Sequence, residues 1–111
     1  MAKRQELMKS NLDALLLALI AQKPMYGYQI IKELEKRSQG YFKFKEGTLY
    51  PALHRLGRAG LAEAAWQMLP NGQQRKYYHI TDKGLNVLVE RRSDWQDFSE
   101  AMNLIIQPVR V

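Results

Sequence analysis

Gly47-Thr48-Leu49-Tyr50-Pro51-Ala52-Leu53-His54-Arg55-Leu56 is the stretch that decides how this chain is read. Leu49, Leu53 and Leu56 recur at i, i+4 and i+7, the spacing of one buried stripe on an α-helix. Thr48, Tyr50, Pro51, His54, Arg55 and Arg58 fall off that stripe and offer hydroxyl, aromatic and basic groups. Thr48 and Tyr50 can bond phosphate oxygens. The Arg55 fork matches a guanine edge, and His54 reaches a base edge or a phosphate. On an isolated helix such a face is also what plain solvation requires, and the flanking segments decide between the two.

On the C-terminal side, Gly60 suits a left-handed residue just past the helix, with Leu61 folding back onto the last turn. A hairpin follows. Residues 62–68 form one candidate strand, Pro70-Asn71-Gly72 the turn, and residues 75–80 the stronger strand. Alternation puts Tyr78 and Ile80 on one face of that strand, Tyr77 and His79 on the other. Trp66 is expected to pack within the hairpin. Arg75 and Lys76 on the return strand, with Lys43 and Lys45 ahead of the helix, are suited to sequence-independent phosphate contact. With Thr48 as N-cap, Pro51 lies in the first helical turn, where no donor is lost; a start at Glu46 implies a bend.

Upstream, Ser10 or Asn11 caps a first helix whose apolar face is Leu12, Leu15, Leu16, Leu19 and Ile20, stopped by Pro24. A second helix runs from Tyr26 to Arg37, burying Ile30, Ile31 and Leu34 and ending at Gly40. At its start, Tyr26-Gly27-Tyr28 allows close backbone approach at a helix N-terminus, which serves as a phosphate clamp or lets one tyrosine join the core. Downstream, Thr81-Asp82 caps a last helix that Pro108 ends. At ~1.5 Å per residue it spans roughly 40 Å, longer than so small a domain needs. Leu88, Trp95 and Met102 stand seven apart on it, a coiled-coil-like seam.

The expected architecture is mainly α with a small β-hairpin wing. Residues 1–80 form a winged helix-turn-helix DNA-binding domain and residues 81–111 a C-terminal dimerisation helix. The last helix has no core of its own to cover, so a second copy of the chain is its natural partner. At a two-fold seam Trp95 is either a core anchor or, with its mate, a flat aromatic slot for a planar hydrophobic small-molecule effector.

The bulk numbers agree. The chain has 111 residues, room for one domain, and 17 Lys and Arg against 11 Asp and Glu give +6. A sequence pI near 9.7 suits a polyanionic partner such as double-stranded DNA. Without Cys there is no disulfide, thiolate metal site or Cys nucleophile. His54 and His79 lack metal-ligand spacing, and neither a Gly-rich phosphate loop nor a nucleophile motif is present, so no enzyme, metal or cofactor is expected. The longest apolar run, residues 15–21, is too short for a membrane, and the basic N-terminus lacks a signal-peptide core; a cytoplasmic protein is expected.

Gly47-Thr-Leu-Tyr-Pro-x-Leu-x-Arg-Leu56, Tyr26-Gly-Tyr-x-Ile30 and Arg75-Lys-Tyr-Tyr-x-Ile-Thr81, in this order, resemble the PadR family of bacterial transcriptional regulators. The resemblance spans roughly residues 10–106, and the single C-terminal helix is similar to the compact, LmrR-like subfamily. It implies a homodimer of two winged-helix domains, probing a roughly palindromic operator and acting as a repressor. It implies DNA contacts at Thr48, Tyr50, Pro51, Arg55, Arg75, Lys76 and Tyr78, to which residue chemistry adds Tyr26, Gly27, Lys45, His54 and Arg58. The dimer and effector region would comprise Leu12, Leu16, Leu88, Trp95, Phe98, Met102 and Ile106. Two departures stand out: Lys45-Glu46 replaces the usual Ser-Pro or Asn-Glu before Gly47, and the wing turn 69–74 is less basic than in many relatives. The rival reading is a winged-helix protein-interaction or ligand-binding module without sequence-specific DNA binding.

Overall fold

The last turn of the third helix is built as its sequence dictates. Gly60 takes φ +77°, and the Leu61 amide reaches back to the Leu56 carbonyl at 2.9 Å. That is the 6→1 bond of a Schellman stop, and it turns the chain directly into the hairpin. In the computed structural model, which describes residues 2–107 and the side chains of residues 11–107, the order is α1 (Ala2–Gln22), β1 (Met25–Tyr26), α2 (Gly27–Arg37), α3 (Glu46–Arg58), β2 (Ala62–Met68), β3 (Gln74–Ile80) and α4 (Asp82–Ile105). The strands form one antiparallel sheet in the order β1-β3-β2. Three helices and a hairpin make a winged helix, and α4 is appended to it.

Several boundaries differ from expectation. α1 begins at Ala2, so neither Ser10 nor Asn11 caps it. Residues 2–9 are rich in good helix formers and contain no breaker, so the helix runs through the local cap signal. Tyr26 is spent in β1, pairing with Tyr77 of β3, and α2 starts one residue later, at Gly27. α2 ends at Arg37, and the left-handed residues behind it are Gln39 (φ +54°) and Gly40 (φ +85°). α3 begins at Glu46 with Lys45 at the cap position, so Thr48 lies inside the helix rather than capping it. The Thr48 and Leu49 amides both reach the Lys45 carbonyl at 3.0 Å, and Glu46 adds an acidic group where the helix dipole favours one. Pro51 therefore sits in the second turn and leaves the Gly47 carbonyl without its intrahelical donor. Pro108 lies outside the described residues.

The core lies among α1, α2 and α3, under the sheet. Leu12, Leu16, Leu17, Ile30, Leu49, Leu53 and Leu56 are fully buried there, joined by Met25 of β1. Full burial of each such side chain contributes about 1.5–3 kcal/mol. Leu12 and Leu16, expected at the dimer seam, are buried in this core.

α4 is fastened to the end of α3. Thr81 Oγ1 accepts from the Gly84 amide at 3.0 Å and donates to the Gly60 carbonyl at 2.7 Å. Lys83 Nζ donates to the Ala59 carbonyl at 3.0 Å, where the negative end of the α3 dipole favours a cation. Gly84 makes the approach possible, since a Cβ there would strike the Leu61 carbonyl and lie 2.8 Å from Ile80 Cγ1. Beyond this junction α4 packs on α1 and then runs free. Val89, Trp95, Phe98, Leu104, Ile105 and Ile106 are all exposed. No helix among the described residues is long and apolar enough to cross a membrane.

Candidate nucleic-acid interface

The buried stripe of α3, which includes Ala52 beside Leu49, Leu53 and Leu56, fixes which side chains face outward. Gly47, Tyr50, Pro51, His54, Arg55 and Arg58 are exposed, with Thr48 half-buried. Tyr50 lies across the start of α2. A Cβ on Gly27 would come within 2.6 Å of Tyr50 Cζ, so only glycine lets the ring rest there. The missing side chain at position 27 thus sets where the Tyr50 hydroxyl emerges.

The return strand of the wing brings further aromatics and cations to the same place. The Arg75 guanidinium stacks over the Tyr26 ring at 4.3 Å, and Tyr26 meets Tyr77 edge-on at 5.5 Å. Lys76 Nζ stands 5.8 Å from the Trp66 ring and 5.9 Å from the Tyr78 ring. Rings of this kind hold flexible cations in place without neutralising them. Tyr26, Trp66, Arg75, Lys76 and Tyr78 line, together with Gly27, Tyr28 and Tyr50, an open groove of about 410 Å³. Tyr78 is 8% exposed. Burial, and secondarily the neighbouring Tyr50, push its phenol above the ordinary value. It is therefore a protonated O–H donor at neutral pH.

A second hollow, of about 230 Å³, is lined by Gly47, Thr48, Pro51 and Arg55 of α3 together with Leu12 of α1. Beside it Arg55 Nη2 lies 3.5 Å from Asp13 Oδ1. Both concavities border α3, and the groove carries two cations on its rim.

Against known proteins, residues 16–90 match the model of the transcriptional regulator PadR-like family. The chain belongs to this family of transcriptional regulators. The crystal structure of a PadR-like transcriptional regulator from Bacillus cereus superposes with a TM-score of 0.83 at 36% identity, covering 94% of this chain and 99% of that one. An uncharacterized protein of Lysinibacillus sphaericus is 35% identical over 94% of this chain and 95% of its own length. The transcriptional regulator Rv3488 of Mycobacterium tuberculosis is 33% identical over 65% of this chain and 64% of its own. PadR-like proteins are DNA-binding regulators rather than enzymes.

In this PadR-like chain, six residues singled out from the sequence gather at the groove: Tyr26, Gly27, Tyr50, Arg75, Lys76 and Tyr78. Thr48, Pro51 and Arg55 line the hollow. His54, Arg58 and Lys45 are exposed on or just before α3, outside both concavities. Within the hairpin Trp66 meets its cross-strand partner Lys76 but is not covered by it. It is 65% exposed, because the wing projects beyond the core and β2 is buried only at Ala62. Its register partner is Lys76, which places it on the groove. Asp13 was also overlooked; its signal is that it is the one charged residue between Ser10 and Gln22. On α4, Trp95 and Phe98 lie beside one another, ring centroids 5.9 Å apart, both exposed.

Proposed function

We infer that two copies of this PadR-like regulator pair through α4, set their α3 helices into successive major grooves of a roughly palindromic operator, and thereby repress transcription in the cytoplasm. Residues 1–80 are then the DNA-binding unit and residues 81–111 the dimerisation helix. The observation that carries the reading is the arrangement around α3, with a cation-rimmed aromatic groove and a second hollow both bordering the helix. Arg55 and His54 address base edges. Thr48, Tyr26, Tyr50 and Tyr78 give hydroxyl donors to phosphate oxygens, and Lys45, Arg58, Arg75 and Lys76 supply charge to the backbone. Gly27 and Pro51 shape the approach.

Dimerisation is supported by the apolar side of α4, where Leu88, partly packed on the core, leads along one seam into the exposed Trp95, Phe98, Met102 and Ile106. The exposed Trp95–Phe98 pair supports a planar hydrophobic effector held between the two chains. The junction of Thr81, Lys83 and Gly84 with the last turn of α3 supplies the coupling. An effector that favours a different α4–α4 angle would change the spacing of the two α3 helices and release the DNA.

Selection from random duplexes with the purified protein tests this, followed by titration of the winning site and a scrambled control at two salt concentrations. A palindromic winner bound ~10³-fold above control supports operator recognition. Equal, salt-sensitive binding to both duplexes would replace it with an interaction or ligand-binding module.

A further inference from the structure

Asp13 stands on a helix segment otherwise given to leucine, alanine and isoleucine. Its Oδ1 is shielded from solvent and accepts no hydrogen bond among the described residues. The partner within reach is Arg55, whose Nη2 is 3.5 Å away. At that separation the two form an ion pair without a hydrogen bond. A carboxylate oxygen withdrawn from water needs compensation, and the guanidinium supplies it by charge. Arg55 for its part keeps 56% of its side chain exposed, at the edge of the hollow lined by Gly47, Thr48 and Pro51.

The pair has two consequences for the arginine. It restrains a long flexible side chain to one direction, set from α1 rather than from α3. It also offsets part of the charge that would draw the guanidinium toward any nearby phosphate, while leaving most of its N–H donors unused by the protein. A free arginine on a DNA-facing helix is pulled to the nearest phosphate; a tethered one is held for a ligand that meets its plane. Resting on the reading of α3 as the recognition helix, we propose that Asp13 is a positioning residue that sets DNA specificity, steering the Arg55 fork away from phosphates and toward a base edge.

Asp13→Asn tests this, because it keeps the shape and removes the charge. Affinities are measured on the selected operator and on a scrambled duplex across a range of salt. The expected result is a specificity ratio about fivefold lower, the low end of what one bidentate base contact contributes. The salt slope on the scrambled duplex steepens by about 0.9 as Arg55 takes up a phosphate. In an Arg55→Ala background the same change moves the ratio no further. Asp13→Ser gives the same loss and serves if the Asn variant does not fold.

Removal of a negative charge alone would tighten both duplexes equally. An unchanged ratio in a folded variant therefore overturns the positioning role. So does a fall in ratio that persists without Arg55. A wild-type protein with no sequence preference overturns the operator reading and this inference together, whereas a wild-type preference that Asp13→Asn retains overturns this inference alone.

Discussion

Leu53 and Trp95 are both large apolar side chains on helices, yet Leu53 is 1% exposed and Trp95 is 52% exposed. The difference runs through the whole molecule. From α1 to β3 the leucine and isoleucine stripes of the helices cover one another, and the large apolar side chains left outside, among the described residues, are Trp66 and Met68 on the wing with Tyr28, Tyr41 and Tyr50. Along α4 beyond the α1 contact the pattern inverts, and Trp95, Phe98, Ile105 and Ile106 are left facing outward. The molecule is correspondingly long, 61 × 28 × 22 Å. A closed domain is stable by its own packing, whereas an apolar arm of this kind gains its stabilisation from whatever covers it.

Leu53→Ala gives the largest expected effect. It opens a cavity in the closed part and lowers unfolding free energy by about 2–5 kcal/mol, read by urea denaturation at fixed protein concentration. A loss below ~1 kcal/mol would mean that the core is not where the domain's stability resides. Trp95→Asp comes next and should do the reverse. The far-ultraviolet circular dichroism of the domain is retained, and the dimer dissociation constant in sedimentation equilibrium rises roughly 100-fold, because an unpaired carboxylate would enter an apolar seam. Unaltered self-association would move the proposed interface away from this face.

Thr81→Ala probes the junction between the two regions. It removes a side-chain cap and the hydrogen bond to the Gly60 carbonyl, and should lower thermal stability by ~1 kcal/mol. If effector release works through this junction, the variant's DNA affinity responds less to effector than the parent's.

The smallest effect is at Tyr78. Its phenol is raised above 10.0 in the folded chain by burial first and Tyr50 second. Above the ordinary tyrosine range the native chain holds a proton that the unfolded chain has released. Stability therefore falls as pH rises past about 10 and is untouched below it. Phe at position 78 should flatten that alkaline slope, and ultraviolet titration should lose its last-ionising tyrosine; an unchanged slope would remove burial as the cause.

What the sequence discloses follows the strength of the local signal. The α3 stripe, the Gly60–Leu61 stop and the Thr81 cap are each written in a few adjacent residues, and each appears as read. The two-residue strand Met25–Tyr26 is too short to show alternation, and its existence depends on β3, far along the chain. Ser10 and Asn11 resemble caps, but the favourable helix formers before them override that signal. Pro51 suggested a later helix start, yet α3 tolerates it in the second turn. At the candidate site, the tyrosines, Arg75 and Lys76 were legible as residue types. Their convergence required the packing of Tyr50 on Gly27. Trp66 was expected to pack within the hairpin, and its exposure was not legible because alternation tells which residues share a face, not which face is covered. The Asp13–Arg55 pair joins two helices and is invisible to any window of sequence.

The most direct measurement is a hydroxyl-radical footprint on the selected operator, with the wild-type protein and with Arg55→Ala. Two α3 helices in successive major grooves predict two protected patches on one face of the duplex, about 34–36 Å apart, both lost in the variant while the protein remains dimeric. A single patch, or protection that Arg55→Ala leaves intact, would contradict the account.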